Sequence, residues 1–237
     1  MDVVILISGS GTNMRAIAQA QIAGLNIKCV ISNNSSAKGL EHAHSLGLNT
    51  EVVSSKGYKS ATLDASLTEL YNEYLTIVQS FEASELKSLQ TQAHARYTIL
   101  RDSYPQFEVL RSGKRLEYDA LLDSSIAKYN PDYIIMAGFM RILTPWFVEK
   151  WENKIVNIHP ALLPAFKGAH AIRDALDFGA RVTGSTVHFV GNKIDEGKII
   201  EQSAVKISDH DTLETLTAKI KAEELKLYPA AIARLIG

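Results

Sequence analysis

Short apolar runs alternate with segments whose apolar residues recur at helical spacing: VVILI, then NMRAIAQAQIAG, IKCVIS, then AKGLEHAHSLG, and TEVVS. Few architectures accept that alternation. Strands joined through helices give βαβ units and a largely parallel α/β sheet covered by helices. The pattern resumes at Arg115 with RLEYDALLDSSIAKYN and the strand DYIIMAG. In TPWFVEKW, Thr144 is expected to cap a short helix with Pro145 in its first turn. KIVNI, a helix HAIRDALDFG closed by Gly179, and the runs VTGSTVHFV and KIIEQSAVKI follow. Asp211 with Glu214 predicts a cap for a last helix running to about Pro229, with Leu213, Leu216, Ile220 and Leu227 facing the sheet.

Residues 57–112 break the rhythm. At roughly fifty residues the segment is much longer than an ordinary crossover. Leu67, Leu70, Tyr74, Val78 and Phe81, then Leu86 and Leu89, recur at three and four, which predicts a helical insertion interrupted near Pro105. The chain therefore reads as a single domain, residues 1–237, carrying that insertion, and its apolar stripe predicts self-association into a homodimer.

Composition narrows the function by exclusion. A formal net charge of -1 provides no basic field, so nucleic acid is not an expected partner, nor is a membrane surface. Cys29 is the lone cysteine, which rules out a disulfide within the chain and a thiolate metal cluster, and no metal is expected. MDVVILISGSGTN carries no basic leader and no span-length apolar run, which fits a cytoplasmic protein.

Three stretches carry chemistry. SGSGTNM follows the first strand and opens a helix. Gly9 and Gly11 permit a tight turn, while the helix start with Thr12 and Asn13 offers donors to a phosphate. Met14 stands where a dinucleotide fingerprint has its third glycine, and a P-loop lysine is absent. From the residues alone the loop is either a phosphate site or a plain turn capped by Thr12 or Asn13.

In KIVNIHPALLPAFKGAH, Asn157 and His159 stand two apart at the end of a strand, so they share a face. In STVHFVGNKIDEGKII, His188 lies on an alternating strand and Asp195 in the return loop. Asp195 reads either as a turn residue or as a carboxylate that favours a nearby imidazolium. An amide beside a protonated imidazole can stabilise an oxyanion and move protons, as acyl transfer needs.

Taken in order, SGSGTN, AGFMRIL, NIHPALLPAFKGAH, GSTVHFV, IDEGKII and LYP resemble the phosphoribosylglycinamide formyltransferase family, over all of the chain except the insertion. The resemblance implies a Rossmann-like open, mostly parallel sheet with helices on both faces, the formyltransferase fold. It further implies metal-independent transfer of a formyl group from 10-formyltetrahydrofolate to glycinamide ribonucleotide in purine synthesis. It assigns Asn157, His159 and Asp195 to catalysis. It assigns Gly11, Thr12 and Asn13 to the substrate phosphate, with Lys221 and Glu224 near that substrate. Met140, Arg141, Ile142, Leu143 and Arg115, together with Asn157 and the 191–197 loop, are assigned to the folate.

Two positions depart from the family pattern: Ala161 replaces a serine and Lys198 a proline. A related formyltetrahydrofolate hydrolase is the nearest alternative, although Pro160 stands where that enzyme has a second histidine. A methionyl-tRNA formyltransferase lacks support in the charge balance, and a catalytically idle folate- or nucleotide-binding module is the alternative from another class.

Overall fold

The runs VVILI, IKCVIS, DYIIMAG and KIVNI become central strands buried on both faces, which leaves them no polar side to expose. The computed structural model describes residues 1–56, 114–191 and 193–236. Among them the strands are β1 (Asp2–Ile7), β2 (Asn26–Ser32), β3 (Thr50–Val52), β4 (Tyr133–Met136), β5 (Ile155–His159), β6 (Val182–Phe189) and β7 (Ile199–Lys206). The helices are α1 (Thr12–Gln19), α2 (Lys38–Ser45), α3 (Lys114–Ala127), α4 (Pro145–Lys150), α5 (Ala171–Asp177) and α6 (Leu213–Ile236).

The chain divides into two compact units, Met1–Lys56 with Ala120–Gly237, and Gly57–Asp119. The helical insertion expected over 57–112, and the self-association expected of its stripe, lie outside the described residues. No described helix is long and apolar enough to cross a membrane.

The strands form one sheet in the order β3-β2-β1-β4-β5-β6-β7. β3, β2, β1, β4 and β5 are parallel, and β6 and β7 are antiparallel to their neighbours. One face of β1 (Val3, Ile5, Ile7) packs in a core with Met14 and Ile17 of α1, Leu40 and Ala43 of α2, and Leu227, Tyr228 and Ile232 of α6. The alternate residues Val4 and Leu6 are fully buried as well, so the sheet is covered on both faces. Asp123 of α3 accepts from Lys150 Nζ at 2.6 Å and Trp151 Nε1 at 2.9 Å, joining α3 to the end of α4. Beyond β6, Ala175 of α5 joins Val205, Ile207, Leu216 and Ile220 in a second core.

Helix ends correct the sequence reading in three places. Thr144 occupies the cap position of α4 with Pro145 in the first turn, but its side chain makes no capping bond. At α6 the cap is Thr212, not Asp211: Thr212 Oγ1 accepts from Thr215 N at 3.3 Å. Asp211 instead receives Ser208 N and Lys219 Nζ, and the lysine holds its carboxyl well below the usual range. α6 also continues through Pro229 to Ile236. Fully buried Ala231 and Ile232 outweigh the backbone bond that the proline removes. Leu216, Ile220 and Leu227 are buried as expected, and Leu213 is half-buried.

Tyr228 is fully buried, and its hydroxyl lies 3.1 Å from Met136 O and 3.0 Å from Val156 O. The single O–H is therefore shared between carbonyls of β4 and β5. Tyr228→Phe keeps the ring and removes that donor, so urea unfolding is expected to show a loss of about 1 kcal/mol.

Candidate active site

In the strand order, β1 has β2 on one side and β4 on the other, and ligands of open α/β sheets bind where the order reverses. The loops leaving these two strands are tied together there. Ser8 N donates to Gly138 O at 3.1 Å, and Met140 N donates to Ser8 Oγ at 2.8 Å. Gly11 precedes α1 in the left-handed region at φ 68°, and no side chain caps the helix, so neither Thr12 nor Asn13 is the cap. The first-turn N–H groups are thus not taken by a capping side chain.

Gly39 was not singled out in the sequence, yet it completes this loop. Its N–H donates to Gly9 O at 2.9 Å, and a Cβ on Gly11 would stand 2.6 Å from Gly39 Cα. Two backbones meet there with no room for a side chain on either. A glycine in the first turn of a helix, in AKGLE, was the available signal.

Asn13 Nδ2 donates to Glu224 Oε2 at 3.2 Å, while Asn13 Oδ1 is buried with no protein partner. Burial pushes the Glu224 carboxyl up, against the lowering effects of Asn13 and Lys221. Lys221, one turn earlier on α6, is exposed. Phosphate donors, a carboxyl group and an unused amide acceptor therefore gather beside one loop, a set suited to a phosphorylated polyol.

On β5, Asn157 pairs across the sheet with His188, and His159 with Thr186. Asn157, His159 and His188 consequently share one face. His159 is 5% exposed, and its Nε2 lies 2.9 Å from Phe166 O. A carbonyl only accepts, so that nitrogen carries the proton. Nδ1 faces Asp195 Oδ2 at 3.3 Å and meets it with an N–H only when the ring is an imidazolium. The same carboxylate oxygen accepts Gly168 N at 2.9 Å.

Asp195 is brought to His159, by a route that was not legible in spacing. β6 runs antiparallel to β5, with Thr186 opposite His159 and Phe189 opposite Val156, so the β6–β7 connection leaves the sheet at the end remote from His159. The loop folds back over the face to return the carboxylate. It lies so close to the strand that a Cβ on Gly197 would fall within 1.6 Å of Phe189 O. Asp195 itself adopts φ 55°, which Asp tolerates better than most residues. Lys198 leaves this return pinned, since its carbonyl accepts Phe189 N at 2.9 Å.

His188 is 2% exposed. Its Nδ1 lies 2.8 Å from Phe189 O and donates to it, which leaves Nε2 a buried acceptor 3.8 Å from Asp195 Oδ1. Of the residues assigned to folate, Met140 is 79% and Ile142 50% exposed, whereas Leu143 is buried. Arg141 is half-buried. Arg115 belongs to the second unit. No cluster of three metal-ligating side chains occurs among the described residues.

Residues 1–232 match the formyl transferase family model. The chain belongs to the formyl transferase family. It is 31% identical over 237 residues to the phosphoribosylglycinamide formyltransferase of Escherichia coli, covering 98% of this chain and 86% of that protein. It is 35% identical over 235 residues to the trifunctional purine biosynthetic protein adenosine-3 of Gallus gallus, covering 98% of this chain but spanning only 18% of that relative. Among solved structures, a phosphoribosylglycinamide formyltransferase from Bacillus halodurans superposes with a TM-score of 0.71 at 32% identity, covering 100% of this chain and 96% of the other. One from Brucella melitensis gives 0.70 at 32% identity, covering 99% and 94%.

Burial holds His188 below its usual 6.5, outweighing the opposing pull of Phe189 O and Asp195. Unfolding restores the ordinary value, so stability from the neutral ring is fully present above about 6.5 and is lost as pH falls through it toward the folded value. Urea unfolding of His188→Asn is expected to lose less free energy than wild type between about pH 7.5 and 5.5.

Proposed function

We propose that this chain transfers a formyl group from 10-formyltetrahydrofolate to the amine of glycinamide ribonucleotide. The observation that carries the reading is the His159–Asp195 contact on the strand face that also bears Asn157, within a chain of the formyl transferase family. Gly11, Thr12 and Asn13 hold the ribonucleotide phosphate at the start of α1. The buried carboxyl of Glu224 and the unused Asn13 Oδ1 take ribonucleotide hydroxyl or amide hydrogens, and Lys221 adds positive charge at the rim. Exposed Met140 and Ile142 offer apolar surface to the folate ring, with Arg141 and Leu143 behind them. Arg115 is assigned to the folate's acidic end on the family resemblance.

The glycinamide amine attacks the formyl carbon, and its electron pair forms the new C–N bond as the carbonyl pair moves to oxygen. Asn157 Nδ2 donates to that oxygen. The imidazolium form of His159, opposite Asp195, supplies the second donor. At rest its Nε2–H is held by Phe166 O, a neutral acceptor that a charged oxyanion displaces. Collapse of the intermediate breaks the bond from carbon to the folate nitrogen. That nitrogen receives a proton from His159, and the ammonium formed on attack passes one to the neutral His159, so the imidazolium is restored and the pocket ends with its proton count unchanged. Direct amine attack needs no metal.

His159→Ala is expected to lower kcat about a hundredfold to a thousandfold, as loss of an oxyanion donor does elsewhere. The assay follows folate release and formylated nucleotide together, with and without glycinamide ribonucleotide. Release in step with formylated product supports the transferase. Release without the nucleotide assigns the site to hydrolysis, and turnover of His159→Ala near the wild-type rate removes that residue from the mechanism.

A further inference from the structure

The residues after His159 run through a turn, Pro160 to Pro164, in which Ala161 and Leu163 are buried and main-chain groups are met by side chains. Thr186 Oγ1 accepts from Leu163 N at 3.0 Å and donates to Ala161 O at 2.7 Å. Gln202 Nε2 donates to Thr186 Oγ1 and to Leu163 O, both at 2.9 Å. Thr186 is fully buried, and its hydroxyl spends its one proton and both lone pairs in these bonds. His159, Thr186 and Gln202 are register partners, so they form one row across β5, β6 and β7.

The same turn leads to the two backbone groups that hold the reacting pair. Phe166 O takes His159 Nε2, and Gly168 N takes Asp195 Oδ2. Neither Thr186 nor Gln202 bonds the imidazole or the carboxylate. Their effect passes through the turn, which fixes where the carbonyl and the N–H stand. Phe166 adopts φ 52°, a left-handed conformation that a bulky residue keeps only when its surroundings impose it.

We propose that Thr186 and Gln202 are positioning residues for the His159–Asp195 pair, acting through the 160–168 turn. The catalytic part of this inference rests on the formyl-transfer reading; the placement of the imidazole does not. Removing the hydroxyl orphans two buried main-chain groups, which shifts the turn instead of leaving it in place. The phosphate loop has no bond to the turn, so ribonucleotide binding is expected to be spared.

The test compares Thr186→Val, nearly isosteric, with Thr186→Ser, which restores the hydroxyl, and with Gln202→Leu. In folded protein Thr186→Val and Gln202→Leu are expected to lower kcat about tenfold or more, as small misplacements of reacting groups do. KM for glycinamide ribonucleotide should stay within about twofold, the signature of an interaction that matters in the transition state. Thr186→Ser should recover most of the loss. In a His159→Ala background Thr186→Val should cost nothing further, because the group it positions is gone.

A second readout needs no turnover. The His159 imidazole resonances, assigned by their absence in His159→Ala, should move to different chemical shifts in Thr186→Val and return to the wild-type positions in Thr186→Ser. Should wild type transfer no formyl group, the functional reading fails while these chemical shifts still decide the positioning role. An unchanged kcat together with unchanged His159 chemical shifts in Thr186→Val, or an equal loss in the His159→Ala background, would overturn it. If Thr186→Val does not fold, the more exposed Gln202→Leu carries the same two measurements.

Discussion

The antiparallel pairing of β6 against β5 is the constraint on which the site depends. A parallel strand at that position would need a crossover and would deliver its following loop to the same edge as His159. The antiparallel strand instead places Thr186 beside His159 and His188 beside Asn157, so four polar side chains line up on one face. It also sends the next loop off the wrong edge. The carboxylate returns only because that loop lies back over the sheet, and the close approach of Gly197 to Phe189 O is what the path requires. A carboxylate brought over a sheet face, away from bulk water, interacts more strongly with an imidazole than one in an exposed hairpin would.

α6 connects the two halves of the crevice. Glu224 and Tyr228 are four apart, hence on one face of the helix. Glu224 meets Asn13 at the start of α1, while Tyr228 spans Met136 O and Val156 O, the residue before Asn157. One rigid element therefore sets the phosphate loop relative to the strand that carries the formyl-oxygen donor of the proposed reaction. Continuation of that helix past Pro229 becomes intelligible here. Buried Ala231 and Ile232 extend its packing, and an end at Pro229 would leave the Tyr228 turn without support on its C-terminal side.

Much of this was legible in the residues. Apolar runs separated by segments of helical spacing marked the strands, and the two-residue step from Asn157 to His159 placed both on one face, because those signals are local. Signals that depend on distant partners were not legible. Gly39 has its meaning only opposite Gly11, Thr186 only beneath the turn it holds, and Gln202 only in the row with Thr186. At the start of α6 two local signals competed. Asp211 had the cap pattern, but Lys219, eight residues on, drew its carboxylate aside and Thr212 took the cap.

Four buried polar groups around the crevice separate by chemical role. Thr186 and Tyr228 hydroxyls are satisfied and hold main chain, as expected of groups that specify a structure. Asn13 Oδ1 and His188 Nε2 are buried acceptors without a protein donor, one beside the phosphate loop and the other beside Asp195. Leaving such groups unpaired costs stability that folding alone does not return. Both stand where the proposed substrates must bring hydrogens: ribonucleotide hydroxyls or amide at Asn13, and a proton in transit near Asp195. In that reaction the molecule spends stability on acceptors its substrates complete, and the crevice is better matched to the reacting complex than to the empty chain.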